Sequence, residues 1–254
     1  MKLGKLIDPL RGLLLTAMLV PWLGQAVAGQ VCDDKVVASL KASWQIGTEG
    51  SVRAASCKLW PDDSSKMLVA IAYEPPNYPA VTDHQLPLYL AIVNLESLNV
   101  LGSYKGSIDE DASTHVTEES LAFDTARYFL AKNVRAFGLR VSANVEPRYS
   151  EGGYDDVLSL YVIDGTQIRP VLHDLPMQHW TYEGGVYGAE TNYMTKKTDF
   201  SLSLAPTTSH GLLDLLVTGK TTGLRKTITQ KLQYDGQIYP FDMIKLRIKL
   251  SGSR

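Results

Sequence analysis

Metal chemistry would rest first on the histidines: His84, His115, His173, His179 and His210. Metal sites usually draw two ligands from close spacing such as His-x-His or His-x-x-x-His. The nearest pair here, His173 and His179, is separated by Leu175-Pro176, with Asp174 alongside. On a strand that spacing puts both rings on one face about 20 Å apart, too far to share an ion. Nucleophilic hydrolysis would need a serine with a base, and no Gly-x-Ser-x-Gly elbow occurs; Ser209-His210 is only a dipeptide. Paired carboxylates could cleave a glycoside, and Asp109-Glu110-Asp111, Glu118-Glu119 and Asp155-Asp156 supply acids. Their simpler reading is solvated loops and turns. Gly152-Gly153, Gly184-Gly185 and Gly219 with Gly223 open no helix whose amides could hold a phosphate. The expectation is a chain with no catalytic residue, no metal and no cofactor.

Aromatic residues are the remaining unusual feature. The chain has 13 tyrosines and 4 tryptophans, and many fall among turn residues. These are Tyr78 within Pro75-Pro-Asn-Tyr-Pro79, Tyr149 and Tyr154 around Glu151-Gly-Gly153, then Trp180, Tyr182, Tyr187 and Tyr193. Tyrosine in loops offers large, rigid, amphipathic contact area at small entropy cost, which suits a recognition surface. It also favours strands for packing reasons alone. These seven residues are the candidate partner-binding set.

The elements that must position them begin after a leader. Lys2, Lys5 and Arg11 precede an apolar run over 13–23, followed by Ala26-Val27-Ala28. That is the order of a secretory signal peptide over 1–28, cleaved after Ala28. The run contains Pro21 and is far shorter than the ~20 residues a membrane span needs. The mature chain, 29–254, has no later run of that length, so no integral span is expected after cleavage. Export to a Gram-negative periplasm, or secretion, is the expected location. In that oxidising compartment Cys32 and Cys57, the only cysteines, should form a disulfide.

The whole chain carries a net charge of −2, and removing Lys2, Lys5, Arg11 and Asp8 leaves the remainder near −4. Nucleic acid and anionic membrane both want concentrated positive charge, so neither is expected as a partner. The basic residues of Lys245-Leu-Arg-Ile-Lys249 alternate with apolar ones, as in a final strand with one solvated face.

Past the leader, period-two patterning dominates. Runs at 67–73, 88–93, 136–141, 157–163 and 212–217 are short and bounded by Pro, Gly, Asn or Asp, as strands are. Only 34–42 suggests a helix, and it reads equally as a strand's start. Asp164-Gly165 and Asp235-Gly236 each sit between apolar runs, with a looser copy at Asn94. Asp-Gly suits a tight hairpin, because Gly takes positive φ freely and Asp bonds nearby backbone. Each copy follows another hairpin-like pair, giving repeated units near 57–106, 125–175 and 199–242. The expected fold is all-β, a single domain over 29–254 with a propeller-like arrangement of four-stranded antiparallel units. A β-sandwich is the alternative.

The strings CKLWPDDSSKMLVAIAY, DTARYFLAKNVRAFGLRVS and LSLYVIDGTQIRPVL resemble a group of exported proteobacterial proteins of unassigned function. The Asp-Gly hairpins are similar to strands of integrin-type propeller repeats, whose D-x-D-x-D-G calcium loop this chain lacks. The resemblance implies location and fold rather than activity. The functional expectation is an exported, non-enzymatic binding protein that acts on a protein partner, as a neutralising or accessory subunit of an envelope system. The alternative is a propeller-type carbohydrate-active enzyme that uses paired carboxylates.

Overall fold

The computed structural model describes residues 32–47, 49–79, 84–111, 114–142, 152–183, 194–223, 227–242 and 245. The leader, and the final strand expected beyond Lys245, lie outside them. Among the described residues the fold is all-β with one named helix, α1 (Asp34–Ser43). Asp33 caps that helix by accepting the Lys35 N–H at 2.8 Å. Val36 and Leu40, four residues apart on one face, are its buried side chains.

Eleven strands follow: β1 (Ser51–Leu59), β2 (Lys66–Glu74), β3 (His84–Asn94), β4 (Val100–Glu110), β5 (Leu121–Ala131), β6 (Val134–Val141), β7 (Gly152–Asp164), β8 (Gln167–Glu183), β9 (Met194–Ser209), β10 (Leu212–Thr221) and β11 (Thr227–Leu232). The first eight form two antiparallel meanders, β1–β4 and β5–β8. A third, β9–β11, is one strand shorter. Each of the three Asx positions makes its turn. Asn94 Oδ1 accepts the Ser97 N–H at 2.8 Å, Gly165 sits at φ 60°, and Asp235 Oδ1 accepts the Gln237 and Ile238 N–H groups at 2.8 Å each. Among the described residues no fourth strand follows Asp235-Gly236. The segment instead straps the edge of β8: Tyr239 N–H donates to Val171 C=O at 2.6 Å and Arg169 to Gln237 C=O at 2.8 Å.

These units do not separate into blades. One continuous sheet runs β1-β2-β3-β4-β8-β7-β6-β5, with β9 on the far half of β8 and β10 and β11 beyond. Separate blades need separate sheets, whereas here β4 joins β8 in parallel through Ser103 and Gln167. The sheet is open. Its outer strands β1 and β5 share no backbone ladder among the described residues, though Lys58 Nζ donates to Phe123 C=O at 3.1 Å.

Three apolar clusters fill this arrangement. Leu68, Leu90, Phe123, Phe137 and Tyr161 pack inside the curl of β1–β8. Leu130, Leu160, Leu172, Leu215 and Tyr239 pack between the opposite face of β5–β8 and the β9–β11 ribbon. Val36, Leu40, Val69, Ile71 and Val93 lie under α1. Covered on both faces, β2 is buried from Met67 to Tyr73, which accounts for its unbroken apolar run.

Candidate functional site

The ends of three long strands build the candidate surface. Gly152–Asp156 of β7 extend past the last pairing with β6 at Val157 and bond to 178–181 of β8. The far half of β8 pairs in turn with 194–199 of β9. The result is a three-stranded arm, whose strands adjoin the stretches 143–151 and 184–193 in sequence. Tyr149, Tyr187 and Tyr193 belong to those stretches and lie outside the described residues. Tyr182 is within β8, where it pairs with Thr195.

Tyr154 is half-buried opposite His179, with ring centroids 4.9 Å apart. Trp180 occupies a packed position rather than a loop. It is 5% exposed, and its indole N–H donates to Asp155 at 3.1 Å. Its ring lies against Gly153, where an added Cβ would sit 3.0 Å from Cζ2. That glycine is required by close approach of the ring. Trp180 therefore fixes the arm.

Tyr78 lies away from the arm, at the end of the sheet where β3 starts and β4 ends. There Glu110 is buried beside Arg53, Glu74, Tyr78 and His84. Glu110 accepts the Val116 N–H at 2.6 Å and the Tyr78 hydroxyl at 3.0 Å, while His84 Nε2 lies 3.4 Å away and Arg53 Nη1 3.8 Å. Arg53 also bonds Glu74 at 2.7 Å. Burial, with the Glu110 carboxylate behind it, holds the Tyr78 hydroxyl well above the usual phenol range, so it stays a donor. Burial pulls Arg53 down, but its hydrogen bond to Glu74 and the charges of Glu110 and Glu74 win and raise it. This network joins β1, β2, β3, β4 and the 114–120 connection around one carboxylate.

A second charged group went unread in the sequence. Arg140 bridges Asp124, at 3.3 Å, and Asp156, and the Tyr128 hydroxyl donates to Asp124 at 3.1 Å. Burial raises the Asp156 carboxyl above the usual range despite Arg140. Elsewhere, Cys32 and Cys57 form the expected disulfide, with Cα atoms 5.1 Å apart, and tie the start of α1 to β1. Among the described residues no group of three or more His, Cys, Asp and Glu could hold a metal, and no helix is long and apolar enough to cross a membrane.

No family model, curated protein or solved structure matches this chain.

Proposed function

We propose that this is an exported, disulfide-tied binding protein that engages a protein partner through the tip of the β7–β8–β9 arm. The observation that supports the reading is the strand pairing that extends β7, β8 and β9 into one arm bearing Tyr154 and Tyr182; Tyr149, Tyr187 and Tyr193 flank these strands in sequence. The mechanism is occlusion: rigid aromatic side chains cover a partner surface and exclude water. Export to the periplasm or outside the cell is supported by the leader's residue order and by the disulfide.

The enzyme alternative has less support, because three of the acids it could use are engaged. Glu110 is held by Val116 and Tyr78, Asp155 by Trp180, and Asp156 by Arg140. Capture from an extract of the exporting cells tests the binding reading. Wild type should retain a protein that is lost when Tyr149, Tyr187 and Tyr193 are changed to Ala with an unchanged melting midpoint. Recovery of the same proteins by both would sink it. Sequencing the exported chain should give Gly29 at its start.

A further inference from the structure

β4 carries an open edge. Ser103 donates its backbone N–H to Thr166 C=O at 3.2 Å, so at this residue the backbone points away from β3. The register with β3 is unbroken from Gly102 to Glu110. Backbone direction alternates along a strand, so Lys105, Ser107 and Asp109 also aim their N–H and C=O groups outward. Among the described residues, none of those backbone groups has a backbone partner. β8, which leaves β4 after Gln167, does not cover them, since its own edge carries Pro170 and the strap at Tyr239. All three residues are exposed. Natural sheets protect such edges with proline, bulges, charged side chains or covering segments; among the described residues 103–109 has no proline, bulge or covering segment, and its outward charges are Lys105 and Asp109.

The sequence of the edge points to its occupant. Pairing β4 antiparallel with a second β4 about Ser107 sets Ser107 against Ser107 and Lys105 against Asp109, twice over. The three outward residues are those such a ladder would hydrogen-bond. Opposite charges directly across strands stabilise a pair and like charges weaken it. Lys105 already leans over the Tyr89 ring, 5.7 Å from its centroid, on the outward face. A two-fold contact of this kind is self-complementary. We infer that the chain associates with a second copy through β4, extending the two sheets into one across a two-fold axis at Ser107.

The full exported chain, followed by sedimentation over a concentration series, should show a monomer–dimer equilibrium. Ser107→Pro removes one outward N–H without touching the β3 ladder and should leave monomer. Lys105→Asp and Asp109→Lys should each weaken self-association about tenfold or more, from two like-charge oppositions per dimer. Mixed together, the two variants should form a heterodimer, because each then meets its opposite charge at both positions. Near-ultraviolet circular dichroism checks that each variant is folded. A wild-type chain that stays monomeric at every concentration would overturn the inference, as would a dimer indifferent to all three changes. A monomer whose β4 instead holds another protein's segment, released by Ser107→Pro, would overturn it too.

Discussion

Glu110 has four polar neighbours and no solvent, so its removal leaves several of them unsatisfied at once. Glu110→Ala should cost about 3 kcal/mol, the range found when one partner of a buried pair is lost, read as a shift in urea midpoint. Tyr78→Phe removes one hydrogen bond and should cost about 1 kcal/mol. Acid sensitivity has a different origin. In the β1–β2 turn the Ser65 hydroxyl, then Lys66, then the Ser65 N–H hold the Asp63 carboxyl at about 2, below its ordinary 3.8. A depressed carboxylate stabilises the fold above its ordinary range, and that contribution is lost as pH falls toward about 2. Asp63→Asn should flatten stability against pH in that window. Asp156 has the opposite sign: its carboxyl is raised, so acidification relieves the cost of its burial, and Asp156→Asn should steepen the acid loss. None of this was legible in the sequence, because a buried acid and a solvated one read alike until its neighbours are known.

Elements were far more legible, since strand periodicity and turn chemistry are local. The turns at Asn94 and Asp235 follow from side chains that bond nearby backbone, and the β7–β8 hairpin from Gly165 at positive φ. The cysteines were readable from compartment and count. Replacing both with Ser should cost roughly 3 kcal/mol on the chain-entropy argument and loosen α1, seen as lost helical signal before the main transition. What escaped was close packing between elements. Gly138 of β6 looks like any strand glycine, yet a Cβ there would sit 2.6 Å from Leu158 Cδ1 and 3.0 Å from Asp124 Cβ. Gly138→Ala should cost about 1–3 kcal/mol by overpacking, read in the same urea experiment.

For the molecule as a whole, the decisive feature is that β5–β8 supply side chains to two cores. Neither core can form without those strands, so unfolding should be a single transition. Emission from Trp60 in the first core should change together with backbone circular dichroism. Leu160→Ala, in the second core, should cost about 2–5 kcal/mol and lower both probes equally. A separate early transition at either probe would show that the cores fold independently.

Composition and patterning alone settled that the chain is all-β, that its cysteines pair and where its tight turns fall, because each depends on residues close in sequence or on the compartment. Tertiary structure decided how the repeated units join. A four-stranded unit buries the same pattern whether it stands as a blade or continues a sheet, and the choice rests on the parallel contact between β4 and β8 and on the β8–β9 ladder. It also decided that Trp180 is packed within the β7–β8–β9 arm, since strand pairing over long separations builds that arm.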